Sequence, residues 1–284
     1  MNALDQQGKS CRRTGTKEWS DESVNCITGC SHDCRYCYAR HIAVDRFGRV
    51  EAGQWRHEQV RPKAVRQRRG KCRGTVMFPT THDITPENLA PCLDVISHLL
   101  DGGNDVLIVS KPHLACIAEI CKRLVGYKDK IVFRFSIGAM NDDILGYWDR
   151  HAPNFEERLA CLKHAFAAGF VTSISMEPLL DPPSAGAIVQ RLRPYVNESI
   201  WIGMLNQIGQ RVKCENEKDS EMVRWLRQHQ TDAWVMKVVA AVGNDPLIRW
   251  KESYREVIGR LRGQPQAPLP VTGVIPQKGK FRNE

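Results

Sequence analysis

Three cysteines in one short loop constrain this chain more than any other feature. Cys30, Cys34 and Cys37 stand at CxxxCxxC spacing in the polar segment 29–38. The apolar run Val24–Thr28 before it predicts a strand, and the residues from Ala39 to Phe47 after it predict a helix. Thiolates bind soft metals, and three of them can hold three irons of a cubane [4Fe–4S] cluster. The fourth iron then lacks a protein ligand and can chelate a substrate.

Two other interpretations of the loop stay open at this level. His32 lies between the cysteines, so the four side chains could form a Cys3His zinc site. Structural zinc usually takes its ligands from two separated pairs, and no second CxxC or HxxxH follows here. The three cysteines could also be unliganded thiols, which their crowding disfavours. The spacing therefore favours iron–sulfur over zinc.

Composition sets broad limits on compartment and size. The 284 residues suffice for one large barrel or two smaller domains, and an apolar fraction of 42% supports a sizeable core. No apolar run is long enough to span a membrane, and the amino-terminal residues lack the apolar region of a secretory signal. Eleven cysteines without such a signal indicate reduced thiols. We therefore expect a cytoplasmic protein, which would also suit an oxygen-sensitive cluster.

Positive charge is concentrated in one segment. The formal net charge is +9, and Arg56–Arg73 holds eight Lys and Arg residues against the single Glu58, which leaves +2 for the rest of the chain. Such a run could be a solvated face or a docking site for an acidic electron-donor protein. It could equally contact a phosphate backbone of DNA or RNA.

Apolar strands alternate with amphipathic helices along most of the chain. The predicted strands are Val24–Thr28, Thr75–Phe78, Val106–Val109, Ile131–Ile137, Val171–Ser175, Ser199–Gly203 and Trp234–Met236. The predicted helices cover 87–100, 113–125, 154–168, 184–193 and 218–229, and a last one carries Leu247, Trp250, Tyr254, Ile258 and Leu261. Nearly all-apolar strands indicate a parallel sheet covered by helices. The strands are too few for a full eight-stranded barrel, so a doubly wound sheet and an incomplete barrel both remain possible.

Polar residues follow every predicted strand. The residues at these exits are the cysteine loop, Pro79–Asp83, Ser110 and Lys111, Ser136, Ser175–Glu177, Asn206 and Gln207, and Lys237. In parallel α/β folds the chemistry gathers at the carboxyl ends of the strands. The sequence therefore predicts a polar pocket around a polar cofactor at that edge.

The sequence resembles the radical S-adenosylmethionine (radical SAM) enzymes, and within them the spore photoproduct lyase family. The motifs that carry the resemblance are GCSHDCRYCYAR, TTHD, VSKP, FSIG and the stretch AMNDDILGYWDRHAPNFEERL before AAGF. The similarity runs from about Val24 to Pro178, with weaker support to Lys237. It implies an α/β fold, a partial (βα)6 TIM-type barrel of the radical SAM kind with short amino- and carboxyl-terminal extensions. We expect a flexible tail over 1–20, a core over 21–240 with the basic insertion at 53–73, and a C-terminal helix and basic tail over 241–284.

The resemblance also implies roles for individual residues. Cys30, Cys34 and Cys37 would ligate the [4Fe–4S] cluster. Tyr36 would flank the adenine of S-adenosylmethionine, and Glu177 would border its adenosyl moiety. The triplet at the second strand exit, Thr81, His82 and Asp83, would meet the methionyl group through His82 or the backbone near it. Lys111 would pair with the methionyl carboxylate, and Ser136 would bond the methionyl or ribose end.

The implied reaction is reductive cleavage of S-adenosylmethionine to a 5′-deoxyadenosyl radical, which abstracts hydrogen from a substrate. Spore photoproduct lyases keep a cysteine just before the polar triplet to return a hydrogen atom, whereas this chain has Thr80. We therefore expect a relative with another task, a lyase or an oxidoreductase, unless Cys26 or Cys72 substitutes.

Three hypotheses cover the function. The first is a radical SAM enzyme that repairs or modifies a nucleic acid or nucleotide, and the second is a radical SAM enzyme that modifies a peptide or protein. The third is a non-catalytic metal-binding nucleic-acid module. We further expect a monomer that receives electrons from a flavodoxin- or ferredoxin-type protein.

Overall fold

The computed structural model describes residues 14–262. Its strands are β1 (Glu22–Ser23), β2 (Ile27–Thr28), β3 (Gln59–Val60), β4 (Thr75–Phe78), β5 (Asp105–Ser110), β6 (Ile131–Ser136), β7 (Val171–Met176), β8 (Ile200–Ile202) and β9 (Ile248–Trp250). Seven of them form one sheet in the order β1-β4-β5-β6-β7-β8-β9, and every neighbouring pair is parallel. This is the partial TIM-type barrel expected from the sequence. The remaining two strands, β2 and β3, form an antiparallel ribbon.

Eleven α-helices lie within residues 14–262, and most of them pack against the sheet. They are α1 (Tyr38–Arg40), α2 (Pro62–Arg66), α3 (Leu89–Asp101), α4 (Leu114–Arg123), α5 (Asp142–Trp148), α6 (Phe155–Ala167), α7 (Ala185–Leu192), α8 (Ile208–Arg211), α9 (Glu217–Gln228), α10 (Asp232–Val242) and α11 (Glu252–Arg262). Local chemistry sets several of their ends. The Asn154 side chain accepts a hydrogen bond from the Glu157 amide at the start of α6, and Gly169 follows the end of α6 with a positive φ of 80°. The main core lies between these helices and the sheet. No helix in this part of the chain is long and apolar enough to cross a membrane.

The last strand of the sheet is not where the sequence placed it. Trp234–Met236, predicted as a strand, lies inside α10, where Val235, Val238 and Val242 are buried at helical spacing. Residues 248–250, predicted as the start of a helix, form β9 beside β8, and α11 begins only at Glu252. Short apolar runs do not distinguish strand from helix by periodicity, and here a sheet edge decided the outcome. The sheet thus includes residues beyond 240.

The amino-terminal segment also differs from the prediction. Residues 14–20, assigned to a flexible tail, are folded, with a 3-10 helix at Gly15–Glu18 and Trp19 buried inside the barrel beside Met77 and Leu107. Residues 1–13 and the basic tail over 263–284 lie outside the described residues. The predicted strand Val24–Thr28 does not form one strand of the sheet. Its last two residues, Ile27 and Thr28, pair with β3, and the sheet strand β1 ends at Ser23, before the predicted strand begins. Part of the segment predicted as a flexible tail therefore lies inside the barrel.

Candidate active site at the carboxyl ends of the strands

A cavity of about 510 Å³ lies where the parallel strands end. Residues from the exits of β4 to β8 and from the cysteine loop line it. The lining includes every residue that the sequence assigned to a cofactor: Cys30, Cys34, Cys37, Tyr36, Thr81, His82, Asp83, Lys111, Ser136 and Glu177. Lys237, the seventh predicted exit residue, does not line it, because Lys237 lies in α10. The fold thus brings together residues spread over more than half of the chain.

Close backbone contacts shape the cysteine loop. Gly29 has a φ of 90°, and a Cβ at this position would lie 2.6 Å from the Trp55 carbonyl oxygen, so the turn requires glycine. The Cys30 amide donates to the same carbonyl at 2.9 Å, and the Cys37 amide donates to the Cys34 carbonyl at 3.1 Å. These contacts fix the direction of the loop as it enters α1. All three thiols therefore face one cavity.

The three cysteines fit an iron–sulfur cluster better than a zinc ion. Burial raises the pKa of Cys30, Cys34 and Cys37, so thiolates at this place need the charge of a metal centre. When two sulfurs bind one zinc ion through Zn–S bonds of about 2.3 Å, the sulfurs lie less than about 4 Å apart. The ligand atoms that lie within 4.8 Å of one another among residues 14–262 are those of Cys30, His32 and Asp83, a set without Cys34 or Cys37. The three cysteines and His32 are therefore not arranged around one point as a Cys3His zinc site requires.

Asp83 is the most connected polar group of the site. Its Oδ1 accepts hydrogen bonds from the Lys111 amide at 2.7 Å and from Ser110 Oγ at 2.9 Å. Its Oδ2 lies 2.9 Å from His32 Nδ1 and 3.8 Å from Lys111 Nζ. Burial opposes ionisation, but Lys111 and His32 hold the pKa of Asp83 well below its usual range. This carboxylate fixes the exits of β4 and β5 to the cysteine loop.

The remainder of the polar triplet is held by backbone contacts. Asn25 Oδ1 accepts from the amides of Thr80 and Thr81 at 2.7 and 2.8 Å. His82 Nε2 lies 3.3 Å from the Cys26 amide, and its Nδ1 lies 3.0 Å from the Asp83 carbonyl oxygen. Both ring nitrogens of His82 are therefore used inside the protein.

Tyr36 and Lys111 form the opposite part of the network. The Tyr36 hydroxyl donates to Asp149, which forms a fully buried ion pair with Arg158 at 2.8 Å. Lys111 Nζ lies 5.7 Å from the centroid of the Tyr36 ring. Burial lowers the pKa of Lys111, but nearby negative charge, including the Asp83 and Asp149 carboxylates, raises it well above its usual value, so the ammonium stays charged. Arg158 also donates to the Ser136 carbonyl at 3.1 Å, which leaves the Ser136 side chain at the cavity wall.

Sequence reasoning missed three cations near the cavity. Lys251 follows β9 and is almost fully buried, with its Nζ 3.2 Å from both Glu177 and Glu18. Arg211 of α8 and Lys17 of the folded amino-terminal segment line the cavity itself. A short strand signal at Ile248–Trp250 after Pro246 could have revealed Lys251 as a strand exit. Nothing in the local sequence of Arg211 or Lys17 indicates the cavity.

The basic stretch does not form one surface. Trp55, which precedes Arg56, lines the cavity, and the Arg61 amide donates to the Cys26 carbonyl at 2.8 Å. The later part lies at the other end of the sheet, because Lys71 Nζ lies 3.4 Å from Asp105 and the Cys72 amide donates to Asn104 at 2.7 Å, both next to the start of β5. Only the first part of the stretch therefore adjoins the cavity.

The radical SAM superfamily model matches residues 24–181, more than half of the chain. This chain belongs to the radical SAM superfamily. Its cofactors are a [4Fe–4S] cluster and S-adenosylmethionine. When bound, they supply a 5′-deoxyadenosyl radical, and the protein side chains around them bind, orient and exclude water. Membership implies catalysis, which separates the chain from a non-catalytic metal-binding module.

Individual relatives of this radical SAM protein are distant. It is 25% identical over 240 residues to the Uncharacterized protein ORF301 of Acidianus two-tailed virus, over 72% of this chain and 78% of that one. A tyrosine-to-phenylalanine variant of spore photoproduct lyase has a TM-score of 0.50 at 12% identity, over 87% of this chain and 80% of that one. A cysteine-to-alanine variant of spore photoproduct lyase with dinucleoside spore photoproduct has a TM-score of 0.49 at 13% identity. The match covers 79% of this chain and 65%, less than two thirds, of that one. At 12% identity, the likeness to the tyrosine-to-phenylalanine variant shows the fold alone.

Apart from Cys30, Cys34 and Cys37, no described cysteine of the radical SAM protein lines the cavity. The Thr80 hydroxyl accepts from Asn25 Nδ2 at 2.7 Å, and its O–H bond is too strong to donate a hydrogen atom. Cys26 is buried against Cys92, with 3.9 Å between the sulfurs, and Cys72 lies at the other end of the sheet. Within residues 14–262, therefore, the cysteines suggested as substitutes do not face the cavity.

Proposed function

We propose that this radical SAM enzyme abstracts hydrogen from a nucleic acid or a nucleotide. The observation that carries the proposal is a set of exposed arginines on the two segments that flank the cysteine loop: Arg46, Arg49, Arg56 and Arg61. None of these guanidinium groups forms an ion pair with a described residue. We call this set the rim arginines. Exposed cations without an ion-pair partner, on segments next to the cysteine loop, favour a polyanionic substrate.

Two of the three acidic residues between positions 45 and 61 are committed elsewhere, and the third, Glu51, is exposed. Glu58, the acid within the basic stretch, accepts hydrogen bonds from the Ser31 amide, Thr85 Oγ1 and Asn88 Nδ2 at 2.9, 3.1 and 2.8 Å. Asp45 pairs with Lys213 at 2.8 Å. These carboxylates therefore leave the charge of the rim arginines available.

An exposed aromatic ring accompanies the rim arginines. Phe47 is 52% exposed at the end of a π-helix over His41–Arg46, and the guanidinium groups of Arg46 and Arg49 lie 5.3 and 4.7 Å from its centroid. Bases stack on such rings while cations hold the backbone, as in proteins that bind single strands. This arrangement supports nucleic acid over a peptide as the substrate.

Within this proposal the cofactor residues take the roles expected from the sequence. Cys30, Cys34 and Cys37 hold the cluster. Tyr36 flanks the adenine, Glu177 borders the adenosyl moiety, and the backbone of Thr81–Asp83 meets the methionyl group. Lys111 pairs with the methionyl carboxylate, and Ser136 bonds the methionyl or ribose end. A flavodoxin- or ferredoxin-type protein supplies the electron. Because Thr80 replaces the hydrogen-donating cysteine, we propose a final step different from that of spore photoproduct lyase.

The test is the salt dependence of oligonucleotide binding by the cluster-loaded protein. Four phosphate contacts predict a log–log slope of about −3.6 on duplex and about −2.8 on single strands. Replacing Arg46, Arg49 and Arg56 together by Gln should weaken binding and flatten the duplex slope by up to about 3.

The matched control replaces Arg66, Arg68 and Arg69 by Gln, which removes the same charge from the part of the stretch that leads toward the start of β5. This variant should keep the slope of the unchanged protein. Absence of binding, or equal slopes in both variants, would contradict a nucleic-acid substrate. The second hypothesis, a peptide or protein substrate, would then be favoured.

A further inference from the structure

Three cations line the cavity among the described residues, and they differ in their partners. Lys111 lies beside Asp83, with 3.8 Å between Nζ and Oδ2. Arg211 and Lys17 form no ion pair with a described residue. The acids of the lining are already matched, since Asp33 pairs with Arg150 at 2.6 Å and Glu177 pairs with Lys251 at 3.2 Å. The cavity wall thus presents two cations that have no ion-pair partner among residues 14–262.

Arg211 is held with one buried donor unused. It ends the short helix α8, and Gln207 before this helix adopts a left-handed conformation with a φ of 57°. Arg211 Nη2 donates to Gln207 Oε1 at 3.1 Å, which orients the guanidinium group. Its Nε is buried and has no hydrogen-bond partner. A buried donor without an acceptor is unfavourable, so this geometry suits a ligand that brings acceptor oxygens.

Lys17 is brought to the cavity by the fold of the amino-terminal segment. Lys251 Nζ donates to the Gly15 carbonyl at 2.7 Å and pairs with Glu18 at 3.2 Å. Arg255 pairs with the other oxygen of Glu18 at 2.8 Å. These buried contacts hold both sides of Lys17 while its own side chain stays exposed. Its ammonium group is therefore free to approach a ligand in the cavity.

We propose that Arg211 and Lys17 form an oxyanion subsite that binds a phosphate of the substrate inside the cavity. The phosphate identification rests on the proposed nucleic-acid function. The planar fork of arginine suits two phosphate oxygens, and lysine adds a point charge. The other oxyanion that could enter is the carboxylate of S-adenosylmethionine, which Lys111 already takes in the proposed arrangement. The subsite would place the target nucleotide by its charge, in addition to the contacts at the rim arginines.

The experiment compares charged and uncharged ligands on the anaerobic, cluster-loaded protein. The probes are a pool of all dinucleoside monophosphates, the matching pool of methylphosphonates, which lack the charge, and S-adenosylmethionine. Dissociation constants are measured by equilibrium dialysis for the unchanged protein and for Arg211→Gln, Lys17→Gln and Lys213→Gln. Lys213 is the matched control, because it lies two residues from Arg211, pairs with Asp45 and does not line the cavity.

Arg211→Gln should weaken binding of the charged pool at least about tenfold, the effect of losing a charge-assisted hydrogen bond. It should leave binding of the methylphosphonate pool and of S-adenosylmethionine unchanged. Lys17→Gln should give a smaller loss because Lys17 is exposed, and Lys213→Gln should give none. If Arg211→Gln does not load its cluster, Arg211→Lys keeps the charge without the fork and should show a partial loss for the charged pool alone.

Equal binding of both pools by the unchanged protein and the Arg211 variants would overturn the subsite. So would a loss confined to S-adenosylmethionine, or an equal loss in Lys213→Gln. Salt-dependent oligonucleotide binding that ignores Arg211 would overturn the subsite and leave the proposed function standing. Absence of oligonucleotide binding by the unchanged protein would overturn the nucleic-acid function and with it the phosphate identification.

Discussion

Replacing Lys251 by Met tests the buried ion network that joins the cavity to the amino-terminal segment. Lys251 is 1% exposed and holds Glu18, Glu177 and the Gly15 carbonyl. Methionine has a similar length and no charge, so the change removes the three polar contacts with little change in volume. Glu18 keeps its ion pair with Arg255, whereas Glu177 loses its ion pair. The variant therefore leaves the half-buried Glu177 carboxylate without its ion-pair partner.

The expected loss follows from that remaining carboxylate. Breaking a buried ion pair by removing one partner costs about 3–5 kcal/mol of unfolding free energy. The Glu177 side chain is 21% exposed, so some hydration persists and we expect a value near the lower end, about 3 kcal/mol. At about 2–4 °C per kcal/mol for a chain near this size, Tm should fall by about 6–12 °C. The measurement is a thermal scan of anaerobic protein at matched iron content and scan rate.

The loss should also depend on pH. Burial raises the pKa of Glu177, and Lys251 acts in the opposite direction, so the variant should raise it further. A carboxyl whose pKa is raised on folding favours the folded state below its unfolded pKa of about 4.3, and this stability is lost as pH rises through the folded pKa. The Tm deficit of Lys251→Met should therefore be smaller at about pH 5 than at about pH 8.

Two controls separate this reasoning from a general effect of losing a lysine. Lys71→Met breaks an ion pair whose side chains are 55% and 36% exposed, and it should cost about 0–1 kcal/mol. Adding Glu177→Gln to Lys251→Met removes the uncompensated charge and should recover part of the loss. A Tm deficit of Lys251→Met no larger than that of Lys71→Met, an equal deficit at both pH values, or no recovery in the double variant would contradict this role of Lys251.

Two further predictions concern the cofactors. Reconstituted protein should contain about four irons per chain, and replacing Cys30, Cys34 or Cys37 by Ala should abolish that iron content. The control is Cys116→Ala, which changes a buried cysteine outside the cavity and should leave the iron content unchanged. Stoichiometric zinc without iron uptake would contradict the cluster. Lys111→Ala should weaken binding of S-adenosylmethionine at least tenfold, since a lost charge-assisted hydrogen bond costs about 1.5–3 kcal/mol, and iron content should stay constant. Unchanged binding would remove Lys111 from the proposed site.

The sequence predicted the chemistry well where the signal is local. The spacing of Cys30, Cys34 and Cys37 indicates an iron–sulfur loop because the ligands of that cluster come from one turn of chain. The alternation of strands and helices predicts a parallel sheet, and the carboxyl ends of parallel strands must meet at one edge. That geometric necessity is why Asp83, Lys111, Ser136 and Glu177 could be gathered into one cavity before the structure was known.

Only the tertiary structure decided the features that depend on distant partners. Residues 234–236 and 248–250 are both short and apolar, and the open edge of β8 selects the second as the strand. Lys251 holds the Gly15 carbonyl from 236 positions away in sequence, so no local pattern could reveal that the amino-terminal segment is folded. The charge count of the basic stretch gives no direction to its side chains, whereas the fold places its two ends at opposite ends of the sheet. The ligands of a metal-binding loop can be identified from their short spacing in the sequence, but the partners of a buried charge are set by packing between remote segments.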